Sequence, residues 1–258
     1  MSSNSEGSEI RSAVKEAARL IRSARFPTAF TGAGVSAESG LPVFRGPDGL
    51  WSRIDPELFG IDAFRADPER VWPTLKSLFS SDLASVDPNA AHRVLARMEG
   101  EGDLKAVITQ NVDSLHQRAG SRRVVEYHGS ARALVCIRCR RRVAADEQTL
   151  APEVPRCTCG GVLKPDVIFF GEEIPLEAAR EAQRIARKTD VMLVVGYTGE
   201  VYPAAMIPRT AAARRAKIIE INPSPSSYTD HVTDVFIPLA AARGFTLLEE
   251  ELYPPTPG

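Results

Sequence analysis

Short runs of apolar residues, rich in Val and Ile, recur along the chain and are separated by segments in which apolar positions have helical spacing. Such runs are typical of strands that are buried on both faces of a parallel sheet. The predicted strands cover 27–31, 104–109, 123–128, 166–170, 190–196, 216–222 and 234–239, and helical patterns cover 8–24, 175–189 and 202–216. This alternation predicts an α/β fold with a Rossmann-like, doubly wound parallel sheet.

Composition and charge argue against a membrane protein and against a general nucleic-acid binder. The 258 residues are 43% hydrophobic and 25% charged, which is typical of a soluble globular protein with a sizeable core. The formal net charge of −1 gives no general attraction to nucleic acid or to an anionic membrane. No apolar run approaches the roughly 18 residues that span a bilayer, and the first residues lack the pattern of a secretory signal. We therefore expect a cytoplasmic protein without a membrane partner or a specific nucleic-acid partner, and we expect a monomer.

All four cysteines lie close together in the sequence, in two pairs. Cys136 and Cys139 form the first pair, and Cys157 and Cys159 the second. A secreted disulfide framework spreads its cysteines through the chain, so this clustering favours a metal. Four thiolates supply a closed tetrahedral zinc site, which is structural because no position is left for water. The alternative is four unrelated buried cysteines.

Two stretches interrupt the alternation of strands and helices. Residues 47–86 carry short mixed helical patterns, which predict a helical insertion. Residues 132–165 are basic, hold every cysteine and become rich in Pro and Gly toward their end. We therefore predict a zinc-binding module at 132–165, inserted into a Rossmann-like domain that comprises 1–131 and 166–258.

A glycine-rich motif follows the first predicted strand. Gly32, Gly34 and Ala37 fit the G-x-G-x-x-G/A fingerprint, in which the glycines permit a tight turn and let a phosphate approach the backbone. An ordinary glycine turn is an equal alternative. A standard dehydrogenase site is disfavoured because no strand ends in an acidic residue about 20 residues later. The segment 39–42, "SGLP", also cuts the following helix short.

Polar residues follow two further strands, where an open α/β sheet binds its ligands. Gln110, Asn111, Asp113 and His116 come directly after 104–109, although Asn and Asp there could instead cap the next helix. His128 ends the strand pattern of 123–128 and is a candidate general base, whereas a lone histidine is more often structural.

Three later segments also carry candidate binding residues. The apolar run in 162–175 offers a strand edge that could pair with an extended peptide, and a plain core strand is the alternative. Residues 194–205 and 220–224 place Gly, Thr, Asn or Ser directly after strands, where they could contact a ribose or a phosphate or merely cap helices.

These segments, in this order, resemble the sirtuins, the NAD-dependent protein-lysine deacylases. The motifs that carry the resemblance are "GAGVSAESGLPVFRG", "TQNVDSLHQRAG", "YHGS", the paired cysteines, "KPDVIFFGE" and "VVGYTGEVYPAA". The likeness covers almost the whole chain, and the ordered set is highly specific. Val43 and "VYPAA" further resemble the class III branch, which includes desuccinylases and many prokaryotic members.

The resemblance implies a role for each matching position. His128 is implied as the general base, and Asn111 as a second catalytic residue. NAD is implied to contact Gly32, Ala33, Gly34, Ser36, Glu38, Phe44, Arg45, Trp51, Gln110, Asn111, Val112, Asp113, Gly196, Tyr197, Thr198, Asn222, Pro223, Ser224 and Arg243. The substrate peptide is implied to pair with Val167, Phe170, Gly171 and Glu172.

The implied reaction consumes NAD and passes no hydride. The acyl oxygen of an acyl-lysine attacks C1′ of the nicotinamide ribose, and nicotinamide leaves. His128 takes a proton from a ribose hydroxyl, which then attacks the imidate to give free lysine and O-acyl-ADP-ribose. The missing acidic residue after the glycine motif is consistent with this chemistry.

Two departures from the family pattern change the expectation. Class III desuccinylases carry a Tyr-x-x-Arg pair for the acyl carboxylate, but the matching positions here are Leu75 and Leu78. A buried carboxylate would therefore be unpaired, so we expect acetyl or longer neutral acyl groups. Tyr197 replaces a smaller family residue beside the cofactor phosphate, which puts cofactor affinity in question.

Two other functions stay open at this point. One is mono-ADP-ribosyl transfer from the same NAD site to a protein side chain. The other is a zinc-ribbon adaptor that binds nucleic acid through the arginines at 122, 123, 138 and 140–142. A solvated basic face explains these residues better, because no aromatic residues are interleaved with them.

Overall fold

Two β-sheets form the framework of the protein. The computed structural model describes residues 3–44, 49–79 and 85–254. Its strands are β1 Pro27–Thr31, β2 Ala106–Thr109, β3 Val124–Glu126, β4 Gly129–Cys136, β5 Arg142–Ala144, β6 Leu163–Val167, β7 Val191–Val195, β8 Lys217–Ile221 and β9 Val235–Ile237. The large sheet has the order β3-β2-β1-β7-β8-β9, and the small sheet has the order β5-β4-β6.

Helices cover both faces of the large sheet and one side of the small one. The α-helices of the described residues are α1 Ser3–Ser23, α2 Ile61–Ala66, α3 Pro68–Phe79, α4 Ala90–Glu101, α5 Leu115–Arg118, α6 Glu147–Leu150, α7 Leu176–Lys188, α8 Met206–Ala213 and α9 Ala241–Leu252. The first of these begins at Ser3, within a polar segment that carries no apolar periodicity, and so starts earlier than the predicted 8–24. None of the helices within the described ranges combines the length and the apolar character needed to cross a bilayer.

The predicted parallel sheet is confirmed. All pairs of neighbouring strands in the large sheet run parallel. Successive residues of its strands point to opposite faces, so that Ala29 joins the core under α1, α4 and α9 while Phe30 joins the core under α7 and α8. This double burial explains why the strands are continuous apolar runs.

The strand order reverses between β1 and β7, and this reversal positions the site. One half of the sheet grows from β1 to β2 and β3, and the other half from β7 to β8 and β9. In an open α/β sheet a crevice forms at such a switch point, outside the carboxyl ends of the strands. Thr31, at the end of β1, lies between Thr109 of β2 and Val195 of β7.

The small sheet corrects one strand prediction. The run 166–170 is not a strand of the parallel sheet, because β6 ends at Val167 and pairs antiparallel with β4. The residues that follow are apolar since they pack into a separate core: Phe169 is buried there with Phe64 and Trp72. The Trp72 indole donates to the Leu163 carbonyl oxygen at 3.1 Å, which fixes α3 against the small sheet.

Candidate active site

The predicted ligand residues gather at one edge of the large sheet. Five strands of the large sheet, β1, β2, β3, β7 and β8, are each followed directly by a predicted ligand residue or, after β3, by the residue before His128. These residues are Gly32, Gln110, Tyr127, Gly196 and Asn222. Because all five strands are parallel, the polar segments that follow them meet at the switch point.

The glycine motif packs against the loop after β7. The Gly34 N–H donates to the Gly196 carbonyl oxygen at 2.9 Å, and the Gly32 N–H donates to Val195 at 3.0 Å. A Cβ added to Gly34 would lie 2.6 Å from the Gly196 Cα atom, a distance that no side chain tolerates. The glycines are therefore required by close contact between two backbone segments. Contact between the Gly34 backbone and a phosphate stays a prediction.

The segment after the motif forms two short 3₁₀ turns, Ala33–Val35 and Ala37–Ser39. The second ends at Gly40, whose φ of 98° lies in the left-handed region that favours glycine. The N–H groups of Val35 and Ser36 donate to Gly32 and Ala33, so they are not the free helix N-terminus of a dehydrogenase fingerprint. The predicted break of the helix is confirmed.

Ser36 bridges the glycine segment to the loop after β2. Its hydroxyl donates to Asp113 Oδ2 at 2.7 Å and accepts from the Asn111 amide at 3.0 Å. His92 Nε2 lies 3.4 Å from the same oxygen, and His92 Nδ1 accepts from the Asn89 N–H, so Nε2 carries the ring proton. Ser36 therefore holds Asn111 and Asp113 in fixed positions. Burial raises the pKa of Asp113, and its hydrogen bonds oppose that shift.

A second buried chain of side chains lies beneath the first. His116 Nε2 contacts the Thr31 hydroxyl at 2.9 Å, and Thr31 donates to Thr109 at 2.9 Å. The Asn111 N–H then donates to the Thr109 hydroxyl at 3.1 Å. The rings of His92 and His116 are in contact, with centroids 4.8 Å apart and planes tilted by 60°. Burial lowers the pKa of His92 to about 4 and that of His116 well below its usual range, so both rings are neutral.

His128 lies between β3, an edge strand of the large sheet, and β4, the central strand of the small sheet, since β3 ends at Glu126 and β4 begins at Gly129. Burial lowers the pKa of His128 to about 4, and an interaction with the Gln110 backbone opposes the shift. The Gln110 side-chain nitrogen is buried and has no hydrogen-bond partner among the described residues. A neutral imidazole and an unsatisfied amide donor thus occur together, which fits a polar ligand.

Tyr197 points into the core. Its ring packs edge-on against Phe30 at 5.2 Å, and its hydroxyl donates to the Val201 carbonyl oxygen at 2.9 Å. The Tyr197 backbone exchanges two hydrogen bonds with the Asn222 side chain. The aromatic side chain is therefore accommodated by the fold at this position. Thr198 keeps a hydroxyl, 3.4 Å from the Glu200 carboxylate.

Several other predicted cofactor residues line the outer part of the site. Glu38 accepts a hydrogen bond from the Ala242 N–H at 2.5 Å, which ties the glycine segment to α9. Phe44 is 42% exposed and lies 5.2 Å from the Trp51 ring. Arg45 lies outside the described residues. Three further predicted residues are exposed on this side, namely Pro223, Ser224 and Arg243.

The segment predicted to pair with a peptide is already partly paired. The Phe170 N–H donates to Phe59 at 2.8 Å, and its carbonyl oxygen accepts from the Ile61 N–H at 3.0 Å. Both backbone polar groups of Phe170 therefore have a partner within the protein, and pairing of Phe170 with a substrate peptide stays a prediction. The Phe170 side chain is 52% exposed and packs 6.0 Å from Trp51.

A buried ion pair holds this segment. Lys164 Nζ contacts Glu172 Oε2 at 2.8 Å, and the two side chains are 3% and 15% exposed. The same ammonium donates to the Val167 carbonyl oxygen at 2.6 Å and lies 4.4 Å from the Phe169 ring centroid. Glu172 also accepts from the Phe169 N–H at 2.9 Å. Glu172 thus fixes the turn at Gly171 from within the protein.

The two leucines predicted for the acyl pocket lie on α3. Leu75 is fully buried in the core of the small sheet, and Leu78 packs against that core. Val112, from the loop after β2, packs against the same cluster. This places apolar side chains of the helical insertion beside the loop that carries Asn111.

The Sir2 family description matches residues 32–203 of the chain. The chain belongs to the Sir2 family. A Sir2 relative from Aeropyrum pernix, "NAD-dependent protein deacylase", is 49% identical over 90% of this chain and 94% of its own length. A protein of the same description from Thermococcus kodakarensis is 48% identical over 86% and 88%. A solved structure described as "Sir2-p53 peptide-NAD+" has a TM-score of 0.86 at 33% identity and covers 92% of this chain and 98% of that one.

The four cysteines of this Sir2 protein form one cluster. All four Sγ atoms lie within 4.8 Å of one another, and the closest pairs are Cys136 with Cys159 at 3.6 Å and Cys139 with Cys157 at 3.7 Å. Four thiol ligands that surround one point fit the closed tetrahedral set of a structural zinc ion. The cluster lies where β4 ends and the turn before β6 begins.

Sequence reasoning gave no role to three residues that matter for this Sir2 site, namely His92, His116 and Lys164. His92 lies in α4, a helix that was not predicted from the sequence, and it is far in sequence from Ser36. His116 follows a strand and was visible as a candidate, but its partner Thr31 belongs to another strand. Lys164 precedes the predicted strand 166–170, and no sequence pattern indicates its ion pair with Glu172, eight positions later.

Proposed function

We propose that the protein removes acyl groups from lysine side chains of protein substrates and consumes NAD in the reaction. The observation that carries this proposal is His128, a neutral imidazole at the junction of the two sheets, beside the Gln110 backbone. The descriptions of the relatives and the structural likeness to a peptide–NAD complex support the same activity.

The residues of the switch point fit NAD. Gln110 offers a buried donor without a partner, and Asn111 and Asp113 are held in place by Ser36. Bound NAD supplies a nicotinamide ribose whose C1′ accepts the acyl oxygen. In this proposal Gln110, Asn111 and Asp113 bind the nicotinamide half, and the loops that begin at Gly196 and Asn222 bind the adenosine half.

His128 acts as the general base. Because its pKa is lowered to about 4, the imidazole is neutral at physiological pH and can accept a proton from a ribose hydroxyl. Ser36 is a positioning residue: its hydroxyl orients Asn111 and Asp113 before a ligand arrives. Such preorganisation lowers the cost of forming the reactive arrangement.

The experiment measures nicotinamide release and the mass of acyl-ADP-ribose from NAD and an acyl-lysine peptide. We expect both products from the wild-type protein and from His231→Ala, which changes an exposed histidine. We expect His128→Ala to lose about 100-fold or more of the rate, as removal of a general base does. If His128→Ala keeps the rate, His128 is not the general base; if label from NAD accumulates on protein side chains and no acyl-ADP-ribose forms, deacylation is not the function.

We further propose that the preferred acyl group is neutral. Leu75 and Leu78 present hydrocarbon where a carboxylate needs a hydroxyl and a guanidinium, and an unpaired buried carboxylate costs several kcal/mol. Rates on matched acetyl, longer-chain and succinyl peptides check this. A succinyl peptide that reacts faster than the neutral ones contradicts the preference and leaves the deacylase activity in place.

The monomeric state and the cytoplasmic location stay predictions. Light scattering across a range of protein concentrations tests the first, and fractionation of the source cells tests the second.

A further inference from the structure

A groove between helices α7 and α8 lies on the outside of the large sheet. The two helices pack against each other over the buried face that contains Phe30. The groove has a volume of about 420 Å³. It is lined by Arg187, Met206, Arg209, Thr210, Ala213 and Arg214. Half of the lining residues are therefore arginines, and none is acidic.

The charges of these arginines are not compensated within the described residues. Arg187 and Arg214 are exposed, and neither has a side-chain hydrogen bond or an ion pair there. Arg209 Nη2 donates to the Ser227 carbonyl oxygen at 3.2 Å, and the guanidinium lies 5.4 Å from the Tyr228 ring centroid. Its Nε atom is buried without an acceptor among the described residues. Arg209 is thus held in place by neutral groups and has no carboxylate partner among the described residues.

Nearby basic side chains, in contrast, have carboxylate partners. Arg184, on the same helix as Arg187, pairs with Glu181 at 2.6 Å. Lys217, just beyond α8, pairs with Asp234 at 2.6 Å. The groove arginines are therefore set apart from their neighbours by the lack of a carboxylate partner in the described part of the chain. A guanidinium presents a planar fork of donors that matches a carboxylate, so an anion that enters the groove gains contacts the protein itself does not supply.

We propose that this α7–α8 groove binds a carboxylate-rich segment of a protein partner. A volume of about 420 Å³ accommodates a few side chains, and Met206, 44% exposed, adds an apolar contact. The inference concerns binding alone and goes beyond the deacylase reaction.

Charge favours a short acidic peptide over nucleic acid. The segment 206–217 contains four basic residues and no acidic one, yet the whole chain has a net charge of −1. A long polyanion would leave this local patch and meet the acidic remainder of the surface. The groove lining also lacks the aromatic side chains on which bases stack.

Fluorescence anisotropy of a labelled oligoglutamate peptide tests the proposal. The full-length protein is compared with R187Q/R209Q/R214Q and with the control R11Q/R70Q/R122Q, which removes the same charge from exposed arginines elsewhere. R187E/R214E changes exposed side chains only and serves where loss of Arg209 unfolds the protein. Nicotinamide release from NAD with a short acyl-lysine peptide is measured on every variant, so failure of the reaction is seen separately from failure of binding.

We expect salt-sensitive binding that both groove variants weaken about tenfold or more and that the control leaves within about twofold. Equal affinity of the groove variants and the wild type overturns the proposal. An equal loss in the control overturns it as well, because binding then follows the net charge of the molecule. Displacement of the peptide by single-stranded DNA of matched charge at lower concentration assigns the groove to nucleic acid instead.

Discussion

The large and small sheets are stabilised by different interactions. In the large sheet, Phe30, Ile108 and Val194 are fully buried, and apolar side chains cover both faces. The small sheet has three strands, packs one side on the helical insertion, and adds a cysteine cluster and the Lys164–Glu172 ion pair. Apolar burial thus suffices for one sheet, whereas the other combines a limited core with a metal site and a buried charge pair.

The difference matters because the site is built from both sheets. Ser36, Asn111 and Asp113 are fixed by the large sheet. The segment from Val167 to Glu172 is fixed by the small sheet and its ion pair. His128 lies where one sheet passes into the other. We therefore expect damage to the small sheet to affect the peptide side of the site first and the NAD side last.

Removal of the metal is the strongest test of this difference. Cys136→Ser, or a zinc chelator, is expected to unfold the small sheet, because structural zinc contributes about 10 kcal/mol or more of apparent binding free energy. Limited proteolysis is expected to cut within 137–162 while far-UV circular dichroism keeps most of its helical signal. Thr158→Ser, between the second pair of cysteines, serves as the control. An unchanged cleavage pattern in Cys136→Ser would show that the small sheet is stable without metal.

The buried ion pair is the next test. Lys164→Met leaves the Glu172 carboxylate buried without its cation, which costs about 3–5 kcal/mol of the free energy of unfolding. Lys217→Met breaks an exposed pair on the large sheet and is expected to cost less than about 1 kcal/mol. Urea unfolding measures both values.

The double variant Lys164→Met/Glu172→Gln sharpens the same test. We expect it to recover part of the lost free energy, since no uncompensated charge remains. The KM for an acyl-lysine peptide is expected to rise in Lys164→Met more than the KM for NAD. If Lys164→Met and Lys217→Met lower the free energy of unfolding by the same amount, the small sheet does not depend more on its ion pair than the large sheet does.

The different packing of the two sheets explains which strands the sequence could predict. The strands of the large sheet are apolar on both faces, so a local pattern locates them: 190–196 contains Val191–Val195. The run 166–170 has the same local pattern but packs into the small-sheet core, and only the antiparallel pairing of β6 with β4 reveals this. The cysteine spacing predicted the cluster because all four ligands come from one short segment.

Long-range polar partners escaped prediction for the same physical reason. Ser36 and Glu38 were expected to contact NAD, and the structure shows that both also form hydrogen bonds within the protein, to Asp113 and from Ala242. His92 approaches Ser36 from a helix 56 positions later. No pattern of apolar spacing encodes a hydrogen bond between distant segments, so such contacts require the folded structure.

Acid titration of buried His92 tests the large sheet, against which α4 packs. Burial lowers the pKa of His92 from 6.5 to about 4, so between these values the unfolded chain binds a proton that the folded protein does not. Stability is therefore expected to fall as the pH drops from 6.5 toward 4, by about 3 kcal/mol for this group.

His92→Gln removes this share of the pH dependence and keeps a donor for Ser36, whereas the exposed His231→Gln is expected to leave the profile unchanged. The free energy of unfolding by urea, measured across this pH range, gives the result. A His92→Gln profile as steep as that of the wild type would mean that the other buried histidines, His116 and His128, carry the whole acid response.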